Sequence, residues 1–161
     1  MADISINYAV IQRLIREKIS VSTMESCTGG LLASVITDCS GASDIFPGGF
    51  VTYCNGAKEK CGVSCHIIEK YGVYSEETAK EMARACSDYY KTKLGIGITG
   101  TLGRLDPENM DSVSGQVFFA VKYGEKYISC RIEVPESLKE RNQMKKFVVN
   151  EVLEAVLGIF A

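Results

Sequence analysis

Residues 21–37 read VSTMESCTGGLLASVIT. The segment from Val21 to Glu25 favours a short strand, and it runs into the small residues between Ser26 and Gly30. The next segment, Leu31 to Thr37, has the apolar spacing of a helix. A strand, a tight turn and a helix in this order begin a βα unit, so this stretch predicts an α/β fold.

Further helices are predicted from apolar residues at helical spacing and from capping residues. The first covers 7–18, and the second is a short helix that Asn55 caps and that carries Lys58. A helical turn is predicted at 66–70. Ser75 caps the next helix, and the final helix starts at Ser137. Glu76 and Glu77 follow the Ser75 cap, where the helix dipole favours negative charge.

Further strands are predicted at 48–53 and 94–99, and a β-hairpin is predicted from 115–123 and 126–134 around Gly124. Strands that alternate with helices and then end in a hairpin indicate a mixed sheet with helices on both faces. The predicted fold class is α/β, as a three-layer α/β/α sandwich with a mixed β-sheet. The segment 100–114 is predicted to be a long polar loop, and loops of this length are usually functional or disordered.

Composition narrows the range of functions. The chain has 161 residues, which predicts a single domain over 1–161. A formal net charge of -2 gives no general attraction to nucleic acid, and no apolar run approaches the ~20 residues of a membrane span. Seven scattered cysteines, and an N-terminus without a basic-then-apolar signal pattern, predict free thiols in a reducing, cytoplasmic compartment.

Three loops, at 25–30, 53–58 and 99–104, follow the three predicted core strands. If these strands are parallel, their carboxyl ends share one edge, about 4.8 Å from strand to strand, and Ser26 can meet Lys58. A serine hydroxyl needs a base, and a lysine can serve when burial lowers its pKa. The residues alone leave the simpler alternatives open, in which the turn is only a helix cap and Lys58 is a solvated surface charge.

Three ordered motifs resemble the signature of the CinA C-terminal domain family. They are ESCTGGLLA at 25–33, GFVTYCNGAK at 49–58 and YGVYSEETA at 71–79, where positions 54, 56 and 74 do not belong to the matched pattern. Members of this family include nicotinamide-nucleotide amidohydrolases, which convert nicotinamide mononucleotide to nicotinate mononucleotide and ammonia. The resemblance implies a cytoplasmic enzyme of pyridine-nucleotide salvage that needs neither metal nor cofactor. It also implies a homo-oligomer, dimeric or larger, whose partner is a small nucleotide substrate rather than nucleic acid or a membrane.

The resemblance also assigns roles to residues by motif. It gives Ser26 as the nucleophile, Lys58 as the base and Tyr53 as a further member of the catalytic group. The expected substrate-binding residues are Glu25, Thr28, Gly29, Gly30, Asn55, Thr99, Gly100 and Arg141. The planar guanidinium of Arg141 suits a nucleotide phosphate, and the alternative is a solvated helix residue.

The third loop departs from the family pattern. Family members carry a proline- and glycine-rich segment followed by Lys-Pro-Val-Gly-Thr, whereas this chain has GTLGRLDP at 100–107 and SVSGQ at 112–116. Arg104 is a candidate to replace the missing charge. The divergence keeps a second function open, a catalytically inactive nucleotide-binding or protein-interaction module.

Two other chemistries are weaker alternatives. Cys27 is a possible thiol nucleophile with His66 as its base, although no motif places His66 nearby, and a small buried residue is the favoured interpretation of Cys27. The run from Cys61 to His66 has the wrong spacing for a haem motif and lacks the four ligands of a structural zinc site.

Overall fold

The fold is known from a computed structural model, which describes residues 4–161. Its helices are α1 (Ile4–Arg16), α2 (Leu31–Thr37), α3 (Asn55–Lys60), α4 (Cys65–Tyr71), α5 (Glu76–Tyr90) and α6 (Arg141–Ile159). Its strands are β1 (Val21–Glu25), β2 (Gly49–Val51), β3 (Leu94–Gly100), β4 (Gln116–Tyr123) and β5 (Lys126–Glu133). A short 3₁₀ helix occupies Ala42–Asp44.

The strands form one mixed sheet in the order β2-β1-β3-β4-β5. β1 pairs in parallel with both β2 and β3, and β4 runs antiparallel to β3 and to β5. The three parallel strands therefore end at one edge of the sheet, and the loops that follow them are neighbours in space. The hairpin of β4 and β5 extends the sheet beyond β3, on the side opposite to β1.

The two faces of the sheet are covered differently. On one face, β3 contributes Ile96 and Ile98 to the large apolar core that it shares with α1, α2 and α6. On the other face, Gly95 and Gly97 have no side chain, and a Cβ atom at Gly97 would overlap the carbonyl oxygen of Ala79 in α5. The glycines thus let α5 pack directly on the sheet backbone, and the predicted three-layer α/β/α arrangement is confirmed.

Element boundaries differ from the predicted ones at a few places. Helix α1 ends at Arg16 because Lys18 adopts a left-handed conformation with φ 54°. Helix α6 begins at Arg141, not at Ser137, because the chain first closes a separate turn in which the Leu138 N–H donates to the Pro135 carbonyl at 3.0 Å. Strand β2 is shorter than predicted and covers only Gly49–Val51.

The prediction that Asn55 caps α3 is wrong. Asn55 is the first residue of the helix, and Cys54 occupies the cap position without a side-chain hydrogen bond. The Asn55 amide instead donates to the side-chain oxygen of Asn109 at 3.1 Å. The predicted Ser75 cap is confirmed, since its hydroxyl accepts from the Thr78 N–H at 3.1 Å.

Candidate active site

Ser26 lies directly after the last residue of β1. Its N–H donates to the carbonyl of Ile98 at 3.0 Å, so the ladder between β1 and β3 fixes its backbone. Gly29 and Gly30 have φ values of 60° and 100°, which glycine adopts at little cost. They turn the chain straight from the strand into α2 and leave Ser26 at the edge of the sheet, where it lines a cavity.

The Glu25 side chain stabilises the turn around Ser26 through hydrogen bonds. This buried carboxylate accepts hydrogen bonds from the Thr28 hydroxyl at 2.7 Å, from the Leu32 N–H at 2.9 Å and from the Ala33 N–H at 3.0 Å. A carboxylate at the start of a helix satisfies backbone donors that have no partner within the helix. Glu25 therefore ties α2 to β1 and stabilises the loop that carries Ser26.

Lys58 reaches Ser26 from helix α3. Its side chain is only 1% exposed, and its Nζ donates to the Ser26 hydroxyl oxygen at 3.1 Å and to the Thr52 carbonyl at 2.9 Å. Burial lowers the pKa of Lys58 from its ordinary value of 10.5 to about 8. About a tenth of the amine is thus unprotonated at pH 7, far more than for an ordinary lysine, and in that form it can accept a proton from Ser26.

A cavity of about 720 Å³ opens above this pair. Its wall also includes Tyr53, Asn55 and Arg141 and much of the loop from Gly100 to Asn109. The loop is anchored at its two ends, because the Thr101 N–H donates to Gln116 at 3.0 Å and the Thr101 carbonyl accepts from the Gly115 N–H at 2.8 Å. Nearly all of the segment between these anchors is free of regular secondary structure.

Two exposed residues meet at the mouth of the cavity. The guanidinium of Arg141, the first residue of α6, donates to the Tyr53 hydroxyl at 3.0 Å. Tyr53 is 65% exposed, so this contact is accessible to solvent and to a ligand. A guanidinium in this position can exchange a neutral hydroxyl partner for an anion.

The family of the chain is shown by comparison of its sequence with known families. Residues 3–160 match the CinA C-terminal domain. The chain belongs to the CinA C-terminal domain family. A protein from Clostridium beijerinckii whose name describes it as competence-damage inducible is 38% identical over 148 residues. That match covers 89% of this chain and 34% of the relative, so the chain spans about a third of the relative's length.

Solved structures of the CinA superfamily have the same fold. The protein of this superfamily from Escherichia coli has a TM-score of 0.88 and 29% identity, and the match covers 98% of this chain and 91% of that one. The competence/damage inducible protein CihA from Agrobacterium tumefaciens has a TM-score of 0.87 and 25% identity, with coverage of 100% and 97%. This CinA-like chain therefore has the architecture of its family.

The structure brings together only part of the predicted site. Ser26, Lys58, Tyr53, Asn55, Gly100 and Arg141 all line the cavity. Arg104, the candidate for a replacement charge, lines it as well.

The remaining predicted residues do not lie in the cavity wall. Glu25 and Thr28 are buried against each other behind the Ser26 turn, because the Thr28 hydroxyl donates to the Glu25 carboxylate. Thr99 is buried in β3 and donates to the Val73 carbonyl at 3.0 Å. Gly29 and Gly30 shape the turn, and Gly29 lies beside the Lys145 ammonium rather than the cavity.

The sequence analysis missed a polar cluster in the cavity wall. The Tyr74 hydroxyl donates to Asp106 at 2.6 Å, and the Asn109 amide donates to the same oxygen at 2.6 Å. Tyr74 stands next to the Ser75 cap, at a position of the third motif that does not belong to the matched pattern, so no sequence signal identified it. Nothing local to Asp106 indicated that the loop folds back on Tyr74.

The thiol alternative is not supported by the geometry. Cys27 is buried, and burial raises the pKa of its thiol to about 12, so the thiol stays protonated. His66 lies on the exposed surface of α4 beside Glu69.

Within residues 4–161, no group of three or more His, Cys, Asp or Glu side chains is arranged to hold a metal ion. Over the same residues, no helix has both the length and the hydrophobicity to cross a bilayer.

Proposed function

We propose that this chain hydrolyses the carboxamide of nicotinamide mononucleotide, giving nicotinate mononucleotide and ammonia. The observation that carries the proposal is the contact of 3.1 Å between the buried Lys58 amine and the Ser26 hydroxyl at the floor of an open cavity. Unlike a solvated lysine, a buried lysine with a pKa of about 8 can take a proton near neutral pH. The family resemblance supplies the substrate.

The proposed reaction has two halves. In the first, the Ser26 oxygen attacks the carboxamide carbon while its proton passes to the Lys58 amine. The carbon–nitrogen bond then breaks, and the Lys58 ammonium returns that proton to the leaving nitrogen, which departs as ammonia. In the second, water attacks the acyl-serine ester and passes one proton to Lys58, which returns it to the Ser26 oxygen as the ester bond breaks. The carboxylic acid loses its remaining proton to solvent and leaves as the carboxylate.

Other cavity residues support binding in this proposal. Cys27, the residue after Ser26, lines the cavity, and a backbone N–H at this position can stabilise the negative oxygen of an acyl-transfer intermediate. Arg141 is the group best suited to the nucleotide phosphate, and Tyr53 holds its guanidinium at the mouth. No metal or cofactor is needed for these steps.

Ammonia release from nicotinamide mononucleotide tests the proposal. We expect release by the purified protein, and a fall to background in Ser26→Ala and Lys58→Met. Ser40→Ala and Lys60→Met are matched controls, because these two side chains are exposed, and both should keep full activity. Tight nucleotide binding without release would instead support the inactive binding module, and the absence of binding would favour a protein partner.

The cellular setting follows from the same proposal. A salvage enzyme that acts on a free nucleotide belongs in the cytoplasm, which also suits the free cysteines.

We further propose that the protein is a homo-oligomer. Strand β5 supports this, since it is the last strand of the sheet and exposes Tyr127 and Ile128.

A further inference from the structure

The cavity wall carries charged side chains of both signs. Arg141 contacts Tyr53 at the mouth, and a Cβ atom at Gly103 would lie 3.7 Å from its guanidinium. Asp106 lies in a different set of contacts, with Tyr74 and Asn109. Arg104 and Glu108 line the cavity as well, so its wall carries both signs of charge, which is unsuited to a ligand that carries only negative charge.

Asp106 is built to remain ionised. The Tyr74 hydroxyl and the Asn109 amide donate to one carboxylate oxygen, and the Glu108 N–H donates to the other at 2.9 Å. Hydrogen bonds from these donors hold the pKa of Asp106 below its ordinary value, and the bond from Tyr74 has the largest effect. The carboxyl thus keeps its negative charge at neutral pH although it is half-buried.

The charge of Asp106 also reaches the reacting pair. The pKa of Lys58 is lowered mainly by burial, and the Asp106 carboxylate is among the groups that act in the opposite direction and raise it. Asp106 and Lys58 line the same cavity, so the carboxylate also attracts a cationic ligand bound there. The Arg141 guanidinium remains available for a phosphate at the mouth.

We propose that Asp106 is a specificity-determining residue that selects a carboxamide attached to a positively charged ring. This inference rests on the proposed function, because it concerns the ligand bound over Ser26 and Lys58. An N-substituted pyridinium carboxamide places a positive ring beside the amide and fits the anionic wall. The hydrolysed product carries a new carboxylate at the same place, which Asp106 repels, so the same residue favours product release.

The test compares two ligands that differ in the charge of the ring. Oxidised nicotinamide mononucleotide has a cationic pyridinium, and the reduced form has a neutral dihydropyridine with the same carboxamide, ribose and phosphate. Dissociation constants for both are measured by calorimetry in a Ser26→Ala background, which prevents turnover. In Asp106→Asn we expect about tenfold weaker binding of the oxidised form and unchanged binding of the reduced form.

Two further variants separate charge from loop structure. Tyr74→Phe removes a donor to Asp106 but keeps the carboxylate, and it should retain the preference for the oxidised form. Asp111→Asn removes one negative charge from the same loop outside the cavity wall and should change neither dissociation constant. Loss of the preference in Tyr74→Phe or in Asp111→Asn would assign the effect to loop geometry or to general charge and overturn the proposal.

The remaining outcomes are equally decisive. Equal weakening of both ligands in Asp106→Asn, no change for either, or no binding of either form at about millimolar concentration would each reject the role of Asp106. Failure of the proposed function is distinguished by the unmodified protein, which would then release no ammonia. In that case the two dissociation constants still decide whether the cavity prefers the cationic ring.

Discussion

Replacing Lys58 with methionine is expected to stabilise the fold at neutral pH while removing the proposed activity. The side chain of Lys58 is 1% exposed, and burial lowers its pKa from 10.5 to about 8. At 1.36 kcal/mol for each pKa unit, holding the protonated amine in the folded protein costs about 3 kcal/mol relative to the unfolded chain. Methionine has a similar length and carries no charge.

The gain is partly offset by lost hydrogen bonds. Lys58 donates to the Thr52 carbonyl and to the Ser26 hydroxyl, and losing both costs about 2 kcal/mol in total. We therefore expect Lys58→Met to raise the free energy of unfolding by about 1 kcal/mol near pH 7.

The pH dependence of this difference is a sharper test than its size. The unfolded chain holds the Lys58 proton up to pH 10.5 and the folded protein only up to about 8, so the unfolded state binds more protons between these values. Stability of the unmodified protein therefore rises with pH across that window. Between about pH 7 and about pH 9.5 it should gain about 2 kcal/mol relative to Lys58→Met.

Urea denaturation followed by circular dichroism provides the assay, since the chain has no tryptophan for fluorescence. Both proteins are compared in a Cys27→Ala background, because Lys58 also affects the pKa of the Cys27 thiol. Lys60→Met, at an exposed position of the same helix, is the control and should show no such pH-dependent difference. A difference between Lys58→Met and the unmodified protein that stays constant from pH 7 to 9.5 would refute the depressed pKa, and with it the assignment of Lys58 as base.

Further predictions concern catalysis, stability and assembly. The kcat/KM for ammonia release should rise with pH through about 8 as Lys58 loses its proton, and a profile that falls across this range would contradict the base. Glu25→Ala should lower the free energy of unfolding by about 3 kcal/mol in urea titrations, because it leaves the Leu32 and Ala33 N–H groups without their acceptor. Ammonia release should persist in EDTA, and a loss that zinc restores would refute the metal-independent mechanism. Sedimentation equilibrium should give a dimer or a larger assembly, whereas a monomer at all concentrations would exclude the oligomer.

Sequence reasoning worked best where local signals and tertiary packing agree. The bounds of β1 and α2 were predicted to the residue, because the strand, the glycine turn and the apolar helix spacing all lie within residues 21–37. The meeting of Ser26 and Lys58 was also predictable, since parallel strands bring their following loops to one edge. A distance of 3.1 Å between the two side chains agrees with that expectation.

Prediction from the sequence failed where the hydrogen-bond partners of a residue come from distant parts of the chain. Its motif placed Glu25 in the site, and its position at the end of a core strand placed Thr99 there. In the structure, Glu25 accepts from backbone donors of α2, and Thr99 donates to the Val73 carbonyl. Ser137 has the chemistry of a helix cap, but the turn at Pro135 delays α6. The contact between Tyr74 and Asp106 depends on how an irregular loop folds back, which no periodicity encodes.

The anchoring of the loop between Thr101 and Gly115 has an evolutionary consequence. Both ends are fastened to the sheet by backbone hydrogen bonds, which do not depend on the side chains in between. Ser26 and Lys58 lie outside this loop, because Ser26 directly follows β1 and Lys58 belongs to α3. Mutations between the anchors can therefore accumulate without displacing Ser26 or Lys58, so related proteins can acquire new ligand preferences while inheriting the same bond-breaking chemistry.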